Sequence, residues 1–239
     1  MANVFRNTAH LYDLIYEANG KDYAAESATI RDIVTARVPQ ARSLLDVACG
    51  TGRHLRHLRS SYQVVGLDLD PSMLECARQQ VPEVPLVEAD MRTFDLGRTF
   101  DVVICLFSSI GYLVSTADLN TAIATMTDHL APGGLLIVDG WVRPDAWISG
   151  GTTHLETAIT PELKVARVGR SHRDGMSTYL EMQYLVASVD GVEHLVDHHV
   201  LTMFDPEQYE QALQRVGLTF EVVEGPNLGR DRYVATRRQ

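Results

Sequence analysis

The sequence predicts an α/β fold in which a seven-stranded, mainly parallel sheet carries an inserted antiparallel β meander. Apolar runs of strand length alternate with segments of helical periodicity from residue 41 to about residue 139, which is typical of βαβ units. From about residue 150 to residue 204, threonine, valine, tyrosine and leucine alternate with polar residues, which is typical of antiparallel strands. A helix and two strands are predicted after that, and they bring the main sheet to seven strands.

The parallel strands are predicted from five apolar runs, at residues 43–47, 63–67, 85–87, 102–107 and 135–138. Helices are expected between them at residues 52–60, 71–80 and 117–130. Asp70 is the expected N-cap of the second helix, because Pro71 follows it at the first helical position. Pro132, Gly133 and Gly134 predict a turn into the fifth strand.

Segments before and after these strands complete the predicted domain. Residues 22–37 indicate an amphipathic helix, and with the aromatic segment around Tyr12 and Tyr16 they are expected to form a lid over a site. The apolar side of this helix is predicted to carry Ala25, Ala28, Ile33 and Val34.

Two hairpin turns of the meander are predicted at Asp174-Gly175 and Asp190-Gly191. The last helix is expected to begin at Asp205 and Pro206 and to run to about residue 216, with strands at residues 218–223 and 232–236 after it. We therefore predict a single domain, residues 1–239, with a helical lid at 1–40, a core at 41–140 and 205–239, and an antiparallel insertion at about 150–204.

The composition indicates a globular protein that acts on small molecules. The net charge of −10 would repel a phosphate backbone, so no nucleic-acid partner is expected. The apolar runs are far shorter than the roughly 20 residues that cross a bilayer. Residues 1–10 lack the features of a signal peptide, so a cytoplasmic protein without a membrane partner is predicted. Cys49, Cys76 and Cys105 lie far apart, which favours packing roles over a disulfide or a zinc site.

The strongest motif is Leu-Leu-Asp-Val-Ala-Cys-Gly-Thr-Gly at residues 44–52, where a strand-end acid precedes a glycine-rich turn into a helix. Gly50 and Gly52 allow the backbone to turn tightly and to approach a ligand closely. A dinucleotide site would need a third glycine where Leu55 stands. S-adenosylmethionine (SAM) has no phosphate and needs a partner for its amino group near Asp46, so SAM fits this loop better.

Two further acidic residues follow the next two strands. Asp68 lies where a carboxylate can accept hydrogen bonds from both ribose hydroxyls. Asp90 can accept from the adenine amino group, and Met91 can pack on the adenine ring. Because ligands bind at the carboxyl ends of the strands in such sheets, the three loops are expected to form one crevice.

These motifs resemble the class I SAM-dependent methyltransferases, whose fold is a Rossmann-like seven-stranded sheet. A closer resemblance is to the N,N-dimethyltransferases of dTDP-linked amino sugars, which finish desosamine and mycaminose for macrolide antibiotics. It is carried by GKDY at residues 20–23, SLLDVACGTG at 43–52, FSSIGYL at 107–113 and LAPGG at 130–134, and it extends over almost the whole chain.

The resemblance implies an enzyme that uses SAM, releases S-adenosylhomocysteine and methylates a nucleotide-linked amino sugar without a metal. It implies cofactor contacts by Tyr23, Asp46, Ala48, Gly50, Gly52, Asp68, Asp90, Met91 and Leu106. It implies substrate contacts by Tyr16, Tyr112, Asp139 and Arg230, with Tyr16, Tyr112 and Asp139 as the catalytic residues. Further candidates for binding the substrate are Ser108, Trp141, Arg143 and Arg170. Similar enzymes are often dimers, which leaves a homodimer open.

Two substrate-facing segments depart from the family pattern. Residues 139–144 read DGWVRP where relatives have EPWWFP, and residues 225–231 read GPNLGRD where relatives have GPSGRG. The sequence therefore leaves open which amino sugar is methylated, and how many methyl groups it receives.

Methyl transfer to an amine is an in-line displacement, so the main task of the protein is to align the nitrogen, methyl and sulfur atoms. A tyrosine with a pKa of about 10 orients an amine better than it deprotonates it, and Asp139 is the expected amine contact. His172 and His199 are candidates for taking the proton, although a hydrogen-bonded structural role in the meander is favoured for both. The pairs His54-His57 and His198-His199 are expected to face solvent rather than to bind a metal, because no cysteine or carboxylate stands at ligand spacing. Arg143, Arg170, Arg173 and Arg230 are candidates for binding phosphate, with Arg173 favoured as a surface residue.

Three other functions stay open at this point. An O-methyltransferase, or an N-methyltransferase of another small amine, would use the same cofactor loops. A cofactor-binding protein without catalysis is less favoured, because Tyr16 and Asp139 are retained. A dehydrogenase is the weakest alternative, because the third glycine is missing.

Overall fold

A computed structural model describes residues 5–225 and 229–238 of the chain. Its main sheet has seven strands in the order β10-β11-β5-β4-β1-β2-β3, which confirms the predicted fold. The strands are β1 (Ser43–Val47), β2 (Gln63–Asp68), β3 (Leu86–Glu88), β4 (Phe100–Cys105), β5 (Leu130–Asp139), β10 (Thr219–Glu224) and β11 (Asp231–Thr236).

Strands β1 to β5 are parallel, and β11 pairs antiparallel with both β5 and β10. The central strands are buried on both faces, which explains their continuous apolar runs. The carboxyl ends of β1, β2 and β3 therefore lie along one edge of the sheet.

Strand β5 begins earlier than predicted. Phe100 of β4 pairs with Leu130, and the next pair joins Val102 to Leu135, so the extra residues of β5 bulge out of the sheet. Gly133 has a φ of 75°, which suits a bulge of this kind. The predicted turn at residues 132–134 is therefore a bulge within the strand.

Six helices flank the sheets in the described residues: α1 (Ala9–Ala18), α2 (Tyr23–Arg37), α3 (Arg53–Leu58), α4 (Pro71–Gln80), α5 (Thr116–Asp128) and α6 (Pro206–Arg215). A 3-10 helix spans Ser109–Tyr112. Asp70 caps α4 as predicted, because its Oδ1 accepts the Ser72 N–H at 2.8 Å.

The buried face of α2 differs from the predicted one. It carries Tyr23, Ser27, Ile30 and Val34, whereas Ala25 is exposed. The first turn of α2 faces the cavity described below. Residues of this helix are therefore buried against the cavity as well as against the apolar core.

The meander is a four-stranded antiparallel sheet with the order β6-β7-β8-β9. Its strands are β6 (Thr152–Ile159), β7 (Lys164–Asp174), β8 (Ser177–Ser188) and β9 (Gly191–Thr202). Both predicted turns are confirmed, since β7 ends at Asp174 and β9 begins at Gly191. The inner face packs on Leu11 and Ile15 of α1, so the meander and α1 enclose a space above the main sheet.

Two further predictions concern the cysteines and membrane-spanning segments. Cys49 and Cys105 are buried and all three cysteines are free, in agreement with packing roles. No helix among the described residues is long and apolar enough to cross a membrane.

Candidate active site

A cavity of about 1420 Å³ lies at the carboxyl ends of β1, β2 and β3, between the main sheet, α1 and the meander. Most of the predicted site residues line it: Tyr16, Tyr23, Asp46, Ala48, Gly50, Asp68, Asp90, Met91, Leu106, Tyr112, Trp141, Arg143 and Arg230. Four predicted residues do not line it: Gly52, Ser108, Asp139 and Arg170.

The turn after β1 has an unusual backbone. Ala48, Gly50 and Gly52 have φ values of 60°, 55° and 78°, in the left-handed region. A Cβ on Gly50 would meet nothing within 4 Å, so this glycine serves the turn and leaves room for a ligand. A Cβ on Gly52 would lie 3.2 Å from Ala77 Cβ, so Gly52 brings the start of α3 close to α4 and does not contact the cavity.

Asp46, at the end of β1 just before this turn, carries a buried polar atom without a partner among the described residues. Its carboxylate is buried, and Oδ2 has no hydrogen-bond partner among the described residues. Burial, followed by the nearby Asp68, raises the pKa of Asp46 well above its usual range. A buried acceptor without a partner is costly, so it fits the amino group of SAM, which would donate hydrogen bonds and supply a positive charge.

Asp68 ties the turns after β1 and β2 together. Its Oδ2 accepts the Gly50 N–H and its Oδ1 accepts the Asp70 N–H, both at 2.8 Å. Burial raises the pKa of this carboxyl, although the two backbone donors oppose the shift. Each carboxylate oxygen can accept a second hydrogen bond, so Asp68 retains capacity for ribose hydroxyls.

Asp90 has a partner that the sequence interpretation missed. The Arg92 guanidinium lies against both carboxylate oxygens, with Nε 3.0 Å from Oδ1 and Nη2 2.6 Å from Oδ2. Hydrogen bonds from Arg92 hold the pKa of Asp90 below its usual range. Asp90 faces the cavity as a paired carboxylate, and the adjacent Met91 is packed against the apolar core.

A charged group on the lid side was also missed. The Lys21 Nζ lies 3.5 Å from the centroid of the Phe107 ring and donates to both Glu26 oxygens, at 2.7 and 2.8 Å. Glu26 also bonds His54 Nε2 at 2.9 Å, so the prediction that His54 faces solvent was wrong. The sequence signal for this lysine is the GKDY segment at residues 20–23.

The meander contributes a buried cation to the other half of the cavity. The Arg167 guanidinium lies 4.7 Å from the Tyr16 ring centroid, and its Nε donates to Glu156 at 2.7 Å. The Tyr16 ring also contacts the Phe107 ring edge-on, at 5.2 Å between centroids. Tyr16 is therefore held between the two sheets. Arg167 was not predicted, because one arginine in a strand carries no motif.

Of the four arginines predicted to bind phosphate, Arg230 has the most suitable position, because it lines the cavity. Its guanidinium stacks on the Trp141 ring at 4.2 Å, and no ion pair joins it to a carboxylate within residues 5–225 and 229–238. Burial lowers the pKa of Arg230, which nevertheless remains charged. Ser108 lies just behind it, with its Oγ 3.4 Å from Arg230 Nη1. Residues 226–228 of the divergent 225–231 segment lie outside the described residues.

The other candidate arginines are engaged elsewhere. Arg143 faces the cavity, but its Nη1 donates to Asp231 at 2.6 Å. Arg170 is exposed on the opposite face of the meander and lies 3.5 Å from Glu181, so the prediction that it contacts substrate was wrong. Arg173 is a surface residue, as predicted, and donates to the Pro144 carbonyl.

Asp139 has a different position from the one predicted. Its side chain is buried beneath the cavity, where Oδ1 and Oδ2 accept from Arg232 at 2.6 and 3.0 Å. Its Oδ2 also accepts the Phe107 N–H at 3.1 Å. With both oxygens bonded and no cavity surface, Asp139 supports the turn at Phe107 rather than contacting an amine.

Tyr112 reaches the cavity from the 3-10 helix and bonds a meander residue. Its hydroxyl lies 2.8 Å from His199 Nδ1. Burial raises the pKa of Tyr112, and burial lowers the pKa of His199 to about 4, so both side chains are neutral near pH 7. His199 was expected to face solvent, which was wrong. His172 is outside the cavity, stacked on Tyr179, and His198 is exposed.

The fold and the three strand-end loops define a class I SAM-dependent methyltransferase. A methyltransferase domain family matches residues 44–134, which contain all three loops. The residues that face the cavity fit SAM, because Asp46 offers an unsatisfied acceptor and Gly50 leaves open space.

Relatives define the family more narrowly. The dTDP-3-amino-3,4,6-trideoxy-alpha-D-glucopyranose N,N-dimethyltransferase of Streptomyces venezuelae is 43% identical over 95% of this chain and 96% of its own. The dTDP-4-amino-2,3,4,6-tetradeoxy-D-glucose N,N-dimethyltransferase of Saccharopolyspora spinosa is 38% identical over 96% and 92%. This chain belongs to the family of dTDP-amino-sugar N,N-dimethyltransferases.

Two solved structures of sugar methyltransferase relatives have the same fold as this chain. DesVI of Streptomyces venezuelae has a TM-score of 0.92 at 42% identity, covering 97% of this chain and 98% of that one. An amino pentose methyltransferase from Micromonospora echinaspora, involved in calicheamicin biosynthesis and solved with SAM bound, has a TM-score of 0.86 at 41% identity, covering 95% and 96%.

Proposed function

We propose that this protein transfers methyl groups from SAM to the amino group of a dTDP-linked amino-deoxy sugar, two in succession, in antibiotic biosynthesis. The observation that carries the proposal is the cavity, which joins the three cofactor loops to a second half lined by Tyr16, Tyr112, Trp141 and Arg230. Its volume of about 1420 Å³ exceeds that of usual single-ligand sites, which supports a site for two ligands.

The second half of the cavity has the chemistry of a nucleotide sugar site. Arg230 is a half-buried cation without a carboxylate partner in the described residues, so a diphosphate would supply the missing charge. Aromatic rings at Tyr16 and Trp141 offer flat surfaces to a sugar or a base. The relatives methylate amines at position 3 or position 4 of the hexose, and both positions are candidates here.

Bound SAM supplies an electrophilic methyl group on a positively charged sulfur. Transfer of that methyl group to the amine nitrogen would leave S-adenosylhomocysteine, and the methylated amine would release one proton to water. Asp46, Asp68 and Asp90 would hold the cofactor, and Tyr16 and Tyr112 would orient the amine. Their contribution is alignment, which is the largest source of rate for a displacement of this kind.

We also infer that the protein is a homodimer joined through the outer face of the meander. That face exposes apolar side chains along four neighbouring strands: Leu155, Val168, Leu185, Val196 and Val200. Arg170 and Glu181, 3.5 Å apart, lie within this patch, between the row that carries Val168 and Val196 and the row that carries Val200. In a two-fold dimer this patch would pack against the same patch of the second protomer. Arg170 of each protomer could then pair with Glu181 of the other. Cytoplasmic location and a macrolide product remain predictions from the sequence.

The test of the proposed function is mass spectrometry of dTDP-3-amino and dTDP-4-amino sugars incubated with the protein and SAM. We expect one of the two to gain one and then two methyl groups. The corresponding hydroxy sugars are the controls. Methylation of a hydroxyl in place of the amine, or no methylation of either amine by protein that still binds S-adenosylhomocysteine, would overturn the proposed acceptor.

A further inference from the structure

We infer that His199 is a positioning residue for the acceptor amine, and that it acts through the hydroxyl of Tyr112. This inference rests on the proposed function, because it places the amine at Tyr112. His199 lies on the inner face of β9, in the meander, whereas Tyr112 belongs to the main domain. Both line the cavity, and Tyr112 Oη is 2.8 Å from His199 Nδ1.

The direction of this hydrogen bond decides what Tyr112 offers to the amine. A phenol has one proton to donate and lone pairs to accept. If Tyr112 donates to His199 Nδ1, its oxygen faces the cavity as an acceptor for an amine N–H. If Tyr112 instead donated to the amine, the proton would occupy the lone pair that must attack the methyl group. Only the first direction favours the displacement.

The surroundings of His199 support that direction. The groups around it are Arg167 on β7, His198 on its own strand, Tyr112 on the 3-10 helix and the Phe5 ring, 5.1 Å away. Burial and the nearby Arg167 keep the imidazole neutral at neutral pH, so one ring nitrogen is free to accept. We assign the proton to Nε2, which leaves Nδ1 as the acceptor for Tyr112.

A pair of substitutions at position 199 separates hydrogen bonding from packing. The amide of His199→Asn can place its oxygen near the site of Nδ1 and keep an acceptor for Tyr112. His199→Phe keeps a ring against Phe5 but removes the acceptor. We expect kcat for the amine to fall about tenfold or more in the Phe variant, the equivalent of one lost buried hydrogen bond, and the Asn variant to retain most of it.

Three further measurements complete the test. In a Tyr112→Phe background the Asn and Phe variants at position 199 should have the same kcat, because no hydroxyl remains to be oriented. His57→Asn, on α3 and outside the cavity, is the histidine control and should match the native protein. Affinity for S-adenosylhomocysteine, which reports folding of the site, should be unchanged in every variant at position 199.

The tautomer can be observed directly. The ¹⁵N spectrum of histidine-labelled protein should give a neutral His199 with its proton on Nε2, unchanged between about pH 6 and pH 9. Equal kcat in the Asn and Phe variants, or a proton on Nδ1, would overturn the inference while methylation by the native protein still stood. A native protein that methylates no amine would instead overturn the proposed function.

Discussion

Arg232 holds both carboxylate oxygens of Asp139, with Nε 2.6 Å from Oδ1 and Nη2 3.0 Å from Oδ2. The two residues stand opposite each other on paired strands, β11 and β5, and both are buried. Asp139 also accepts the Phe107 N–H, where the chain has a φ of 53°. The ion pair therefore joins the antiparallel end of the sheet to the turn that carries Phe107 into the cavity.

Asp139→Ala should lower the free energy of unfolding by about 3–5 kcal/mol, because it leaves Arg232 charged and unpaired in the core. The double variant Asp139→Leu, Arg232→Met should recover much of that loss, since it removes both charges. Urea unfolding followed by circular dichroism measures both effects. If Asp139→Ala were as stable as the native protein but inactive, Asp139 would be a catalytic residue after all.

Asp46 should limit the stability of the free protein while it provides cofactor affinity. Its pKa is raised by burial, so the folded state keeps a proton that the unfolded chain releases above a pKa of about 3.9. The protonated Asp46 side chain therefore favours the folded state at low pH, and this contribution is lost as the pH rises from about 3.9 to the raised pKa of the folded protein. Asp46→Asn should raise the Tm of the cofactor-free protein at pH 7 and flatten its decline with pH.

The same substitution should weaken binding of S-adenosylhomocysteine by about 10–100-fold, because a charge-assisted hydrogen bond to the amino group is lost. Calorimetric titration gives this affinity, and affinity of the native protein should fall as the pH is lowered through the folded pKa of Asp46. Asp190→Asn, in an exposed hairpin turn, is the matched control and should change neither property. Undiminished affinity in Asp46→Asn would contradict the assignment.

Arg230→Met should raise KM for the nucleotide sugar about 10–100-fold, since it removes the cation expected to meet the diphosphate. Methionine keeps an apolar contact with Trp141. Steady-state kinetics at saturating SAM measure this change, with Arg173→Met as the surface control that should leave KM unaltered. A KM that depended equally on both arginines would point to general charge rather than to a phosphate site.

Leu185→Glu should convert the proposed dimer to a monomer, because a two-fold axis would bury two new carboxylates in an apolar interface. Sedimentation equilibrium measures the change in mass. Val189→Glu is the control, since Val189 is almost fully exposed at the turn between β8 and β9. A native protein that sediments as a monomer would refute the dimer, and cofactor affinity should not differ between the variants.

Much of the fold could be predicted because its signals are local. A buried parallel strand needs a run of apolar residues, and a hairpin needs a turn residue such as Gly175 or Gly191, so both are visible in a short stretch of sequence. The three cofactor loops were predictable for the same reason: each follows a strand directly, and parallel strands bring their carboxyl ends to one edge. The bulge in β5 was missed because Pro-Gly-Gly is equally compatible with a turn.

The sequence by itself determined the alternation of strands and helices, the order of the acidic loops at their ends and, through its resemblance, the class of chemistry. Only the tertiary structure decided which charged and polar groups meet: Arg232 with Asp139 across 93 residues, and Tyr112 with His199 across 87. These pairs depend on which strand lies beside which and on which face of a strand points inward. Spacing along the chain carries no record of either, so a buried ion pair and a catalytic carboxylate have the same appearance in the sequence.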